Sequence, residues 1–203
     1  MIERNKMSTA NRWCSYGEWD KIAGLRRVKD IRKQISGVDV WTPNILPEGV
    51  EQLLPRSSTV LDFGCGLGRN QPLLKKKFKT VKAVDIPEMV KRLKRSKKVF
   101  SGYDAVFTDL KEALRDTDVF FESVVLQHLV DAKETRKIAD AVNASKVKTI
   151  VSTWNAAFDS LEGFVEKKTA MMEKFGPDWT ITKFADKKSF PGIDHVVYVL
   201  TRK

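Results

Sequence analysis

Short apolar runs alternate with amphipathic stretches through the middle of the chain. That alternation predicts strands and helices in succession. Ser58-Thr59-Val60-Leu61-Asp62-Phe63 opens the series, β-branched and apolar as a strand buried in a parallel sheet must be. Further runs predict strands near 80–85, 104–108, 118–125 and 147–153. Between them, helices are predicted near 70–78, 87–98, 110–115 and 131–143. Leu73, Leu74 and Phe78 give the first helix its apolar stripe, and Met89, Val90 and Leu93 do so for the second. Asp131, with Glu134 three residues later, is a carboxylate variant of the capping box. A longer amphipathic helix is predicted over about 160–175, closed by Gly176-Pro177. Trp179-Thr180-Ile181-Thr182 and His195-Val196-Val197-Tyr198-Val199-Leu200 complete the chain as two strands. By itself, the succession supports a doubly wound α/β sheet.

Length and composition place this sheet in one domain. At 203 residues the chain can bury a sizeable core, with 58–203 as the sheet domain and 1–57 as an N-terminal helical extension. Within the extension Trp13, Tyr16 and Trp19 lie three apart, so a helix would carry them on one side. No apolar run is long enough to span a membrane, and the first twelve residues lack the apolar centre of a signal peptide. The two cysteines are Cys14 and Cys65, the second inside a glycine run. They argue against a structural disulfide and for a reducing, cytoplasmic setting. Two histidines and two cysteines at scattered positions give no metal-ligand spacing.

Charge is uneven. The chain carries +11, and residues 51–100 hold 13 Lys and Arg against 4 Asp and Glu, a net +9. The excess follows the apolar anchors of the first two helices, so it falls on their outer faces. A solvated surface accounts for it, and so does a field that attracts nucleic acid or another anion.

The candidate chemistry lies where the first strand ends. Gly64, Gly66 and Gly68 follow Asp62 and lead into a helix with Pro72 in its first turn. A strand, a glycine turn and a helix let backbone approach a nucleotide-like ligand, because glycine has no Cβ to collide with it. A dinucleotide fingerprint needs G-x-G-x-x-G, and here the third glycine comes one residue early. A carboxylate two residues before the first glycine also suits a cationic amino group better than a pyrophosphate. Both points disfavour a nicotinamide-dependent oxidoreductase.

At Val60-Leu61-Asp62-Phe63-Gly64-Cys65-Gly66-Leu67-Gly68 the chain resembles the class I S-adenosylmethionine (SAM)-dependent methyltransferases. Three later segments match in order. Val81-Lys82-Ala83-Val84-Asp85-Ile86 ends in an acid 23 residues after Asp62. Ala105-Val106-Phe107-Thr108-Asp109-Leu110 follows, and then the stretch from Asp118 to Leu129. The resemblance implies SAM as cofactor, held by Asp62, Gly64, Cys65, Gly66, Gly68, Asp85, Ile86, Asp109, Leu110 and Glu122. In that reading Asp85 receives the ribose hydroxyls and Asp109 lies beside the adenine amine. Both acids could equally cap the helices that follow them. The resemblance also implies a mostly parallel seven-stranded sheet with an antiparallel C-terminal strand pair. The N-terminal extension is then either an amphipathic helix packed on the sheet domain or, as the resemblance allows, a lid with Trp13 and Tyr16 facing the substrate.

A sulfonium methyl is already activated, so transfer needs chiefly a nucleophile held in line with the breaking bond. The resemblance puts Glu122 near the methionine end and the acceptor, as a candidate catalytic residue. His128 is a candidate base, or a histidine packed at the next helix. Trp154 and Asn155 follow the fifth strand, where an acceptor would sit. Phe121-Glu122-Ser123-Val124 lacks the Asp/Asn-Pro-Pro-aromatic segment of enzymes that methylate exocyclic amines of nucleic acids, and no Pro-Cys pair occurs. The expectation is N- or O-methylation of a small molecule. A nucleic-acid methyltransferase and a non-catalytic SAM-binding protein are the alternatives.

Overall fold

The computed structural model describes residues 24, 49–55, 58–95, 100–129, 131–155, 162–190 and 193–203. In chain order its strands are β1 (Thr59–Phe63), β2 (Thr80–Val84), β3 (Ala105–Phe107), β4 (Val119–Ser123), β5 (Thr149–Asn155), β6 (Trp179–Phe190) and β7 (Ile193–Arg202). They form one sheet in the order β3-β2-β1-β4-β5-β7-β6. β1 to β5 pair in parallel, and β7 runs antiparallel to both β5 and β6. This is the doubly wound sheet with an antiparallel C-terminal pair that the sequence predicts. From β1 the chain winds outward to β2 and β3, then returns to β4 and β5 on the other side. That reversal opens a crevice beyond the carboxyl ends of β1 and β4, where ligands of such sheets bind.

Among the described residues, five helices cover the two faces: α1 (Gln71–Lys77), α2 (Pro87–Arg95), α3 (Leu110–Ala113), α4 (Ala132–Asn143) and α5 (Glu162–Phe175). Successive residues of β1 serve opposite cores, which is why the strand is apolar on both sides. Val60 packs with Leu74, Phe78 and Leu93 of the α1–α2 layer. Leu61 packs with Ile138, Val142, Met171 and Phe175 of the α4–α5 layer. Both side chains are fully buried.

Local chemistry sets the helix starts. Asp131 accepts hydrogen bonds from the Lys133 and Glu134 N–H groups at 2.8 and 3.0 Å, which fixes α4 where the sequence predicts it. Several strand ends differ. The predicted strand 118–125 stops at Ser123, because Val124 leaves the ladder at φ 66°. β6 and β7 extend well past their apolar cores. β6 is an edge strand whose residues 180–183 are exposed, so its pairing leaves no apolar alternation to read. Trp13, Tyr16 and most of the predicted helical extension lie outside the described residues, while its end, 49–55, is described and buries Val50 in the core. Gly24 is described within that stretch, and its carbonyl accepts from Arg92 Nη2 at 3.0 Å.

Candidate active site

The glycine turn between β1 and α1 is stitched to the end of β2. Gly64 and Cys65 N–H groups both donate to the Val84 carbonyl, at 2.9 and 3.4 Å. Gly64, Gly66 and Gly68 all have positive φ, at 64°, 56° and 77°, a region open to glycine at no steric cost. Where a Cβ would stand on Gly66 there is open space, with no atom of the described residues outside its own chain neighbours within 4 Å. The turn thus exposes bare backbone to the crevice.

Two acids lie under it. Asp85 Oδ2 accepts from Gly66 N–H at 2.6 Å, and Oδ1 from Ile86 N–H at 2.7 Å. Burial raises its pKa to about 6 against the pull of those two bonds. Asp62 is only 1% exposed, and its Oδ2 accepts a 2.7 Å hydrogen bond from the Tyr103 hydroxyl. Burial raises the Asp62 pKa to about 7; Tyr103 opposes the rise, Asp85 adds to it and Arg69 opposes it. Arg69, directly after the last glycine, is itself lowered to about 10 by burial, with Asp62 opposing the shift. The Cys65 thiol is buried and pushed up first by burial and then by the two acids, so it stays protonated.

The end of β4 supplies the other wall. Glu122 is fully buried; its Oε2 accepts from Val125 and Leu126 N–H groups at 2.9 and 3.2 Å, and its Oε1 from the Ser152 hydroxyl. Its pKa is raised to about 7 by burial, against those hydrogen bonds. Trp154 Nε1 donates to the same Ser152 oxygen at 2.7 Å.

A protein-family profile described as a methyltransferase domain matches residues 39–188. The chain belongs to that family. It is a SAM-dependent methyltransferase, and S-adenosyl-L-methionine is its cofactor. Among curated proteins none matches it. Solved structures share its fold. The magnesium protoporphyrin IX methyltransferase of Synechocystis, solved with bound SAM, is 17% identical over 98% of this chain and 97% of its own, with a TM-score of 0.58. A SAM-dependent methyltransferase of Clostridium acetobutylicum is 14% identical over 75% and 87%, with a TM-score of 0.56. A TehB-like enzyme of Corynebacterium glutamicum is 20% identical over 76% and 85%, with a TM-score of 0.53.

The methyltransferase's own residues fit the cofactor. The open face of Gly66 admits a ligand to the backbone. Asp85, with one backbone donor on each oxygen, keeps lone pairs for hydroxyl donors. Asp62 is turned into the core toward Tyr103, so it would act on the cofactor's cationic amino group through the field of a buried carboxylate beneath the turn. Asp109 is exposed and caps α3 by accepting from Glu112 N–H at 2.7 Å, with Leu110 as the first helical residue.

Three expectations about the acceptor side change. Glu122 is walled off from solvent with both oxygens engaged, so it is not placed as a base facing an acceptor. Burial lowers the His128 pKa to about 4, and Lys167 on α5 adds repulsion. The imidazole is therefore neutral at pH 7, and its basicity is far below the operating range. Trp154 is 3% exposed and packs inward with Met171 and Leu126, which makes it a core residue. Asn155 closes β5 opposite His195, and its side chain lies outside the described residues. Tyr103, Arg69 and Ser152 went unread in the sequence. Arg69 had a signal in its place beside the last glycine. Tyr103 and Ser152 act through tertiary contacts that no spacing announces.

Proposed function

We propose that this methyltransferase moves the SAM methyl group to nitrogen or oxygen of a small molecule by in-line displacement. When bound, the cofactor supplies a sulfonium-activated methyl group. The chain holds the donor with the 64–68 turn, Asp62 and Asp85, and leaves the acceptor's own lone pair to attack. The observation that carries the reading is the turn after β4. Ser123, Val124 and Val125 stand there, and Glu122 is withdrawn into the core. Among the described residues of that turn, no carboxylate or carboxamide reaches out to accept a hydrogen bond from an exocyclic base amine. The Synechocystis enzyme, matched over nearly its whole length, is named for a small-molecule acceptor, although at 17% identity that likeness is one of fold.

A second reading, methylation of nucleic acid, has one observation in its favour. α1 and α2 cover the same face of the sheet, and Lys75, Lys76, Lys77, Lys79, Lys91, Lys94 and Arg95 are all exposed on it. Two of these cations are paired, Lys75 with Asp104 and Lys91 with Glu88, as are Lys137, Arg136 and Lys174 on the opposite face with Glu134, Glu173 and Asp140, so the difference between the faces is the number of cations rather than their pairing. Much of the basic cluster also falls in the last helical turns, where cations complement the helix dipole at any surface. Labelled SAM and a cell extract separate the readings. Label in the dialysable fraction is expected, and label in nuclease-sensitive material would replace the first reading with the second.

A further inference from the structure

Val124 has φ 66°, a left-handed conformation that is an outlier for a β-branched residue. Such strain persists only where neighbouring contacts over-determine it. The contacts are at hand. Val124 N–H donates to the Thr153 carbonyl of β5 at 2.9 Å, and the next two N–H groups both go to Glu122. Ser152 donates to the other carboxylate oxygen, and Trp154 Nε1 in turn donates to the Ser152 hydroxyl.

The bend has a consequence across the crevice. It lays Val125 against Gly64, so that a Cβ on Gly64 would meet the two Val125 γ-carbons at 2.6 and 2.7 Å. The first glycine of the cofactor turn is therefore packed under a side chain from the far side of the site.

We propose that Glu122 is a positioning residue for the cofactor turn, acting through Val125. Its buried carboxylate fixes the strained bend after β4, and Val125 then presses on Gly64 and sets the path of the 64–68 backbone. SAM affinity thus depends on a residue that does not touch SAM. The inference rests on residues 64–68 being the cofactor turn.

A double-mutant cycle with Gly64→Ala and Val125→Ala tests it, read as SAM affinity by calorimetry with melting temperature measured alongside. Gly64→Ala is expected to weaken SAM about tenfold or more, and the same change in the Val125→Ala background to cost several-fold less, the signature of coupled contacts. Additive effects in folded proteins would overturn the brace while leaving the turn as the cofactor site. Unchanged affinity in a folded Gly64→Ala protein would remove the turn as the site, and the brace with it.

Glu122→Gln supplies the rescue. Its amide oxygen can still accept from Val125 and Leu126, so SAM affinity should stay within about twofold of wild type, whereas Glu122→Ala should weaken it about tenfold. A loss of melting temperature in Glu122→Ala with unchanged SAM affinity would also overturn the proposal. Should Glu122→Ala not fold, the cycle at half-buried Val125 decides alone.

Discussion

The Tyr103 hydroxyl donates a 2.7 Å hydrogen bond to Asp62, and both residues are buried beneath the glycine turn. Tyr103 precedes β3, two strands away from β1 in the sheet. A hydrogen bond to an ionised buried acid favours the charged form, and here it offsets part of the burial that raises Asp62.

Tyr103→Phe removes that donor with little change in volume. Asp62 should then hold its proton to higher pH, and at pH 7 the site should lose negative charge. SAM binding is expected to weaken by about 1.5–3 kcal/mol, the range for a hydrogen bond to a charged group. Raising the pH toward 9 should recover part of the loss as Asp62 ionises. Calorimetry at the two pH values checks it, and equal weakening at both would show that Tyr103 acts by packing alone.

Asp85 does two jobs. It fixes the turn through Gly66 and the start of α2 through Ile86. Asp85→Ala leaves two N–H groups without their acceptor and removes the lone pairs available to the ribose. A loss of about 1–3 kcal/mol in SAM binding is expected. Asp85→Asn keeps one oxygen acceptor and should fall between wild type and alanine. If both variants bind SAM as wild type does, Asp85 serves the loop and not the ligand.

How far the sequence reveals this molecule depends on the range of each interaction. Strands β1 and β4 were legible because both of their faces are buried, so an apolar run is their signature. The caps at Asp109 and Asp131 were legible because they act within three residues. The glycine turn was legible because positive φ restricts residue type. Glu122 shows the limit. Its position at the end of β4 was readable, but its direction was not, since the donors that turn it inward come from Ser152 and from a strained bend at Val124. Trp154 fails for the same reason: alternation along β5 points it at the α4–α5 core, and the apolar run there does not say which face meets the site.

Asp131 caps α4 with two backbone donors. Asp131→Ala should lower global stability by about 1 kcal/mol, within the ordinary range for an N-cap. Asp131→Asn or Asp131→Ser should restore most of it. The SAM affinity of the folded protein should be unchanged, which denaturant titration and calorimetry together can verify.

The buried acids impose a pH dependence whose sign can be worked out. Asp62 and Glu122 titrate near 7 in the folded state and Asp85 near 6, all above their ordinary values. Between the unfolded and folded pKa values the folded state binds more protons than the unfolded one. Stability from these groups is therefore full below about pH 4 and is lost as pH rises through 7, by ~1.4 kcal/mol per pH unit for each fully differential proton. His128 works the other way, because its folded pKa of about 4 means the folded state binds fewer protons between 4 and 6.5. Below pH 6.5 the two effects oppose each other. Three acids outweigh one histidine, so the melting temperature should already fall from about pH 5, fall less steeply above pH 6.5 as the acids ionise, and level off near pH 8. A cation bound over Asp62 favours its ionised form, so saturating SAM should flatten this fall and release protons on binding near pH 6.5. Thermal melts with and without SAM across this range check both effects, and a melting temperature that rises from pH 6.5 to 8 would contradict the assignment of the buried acids.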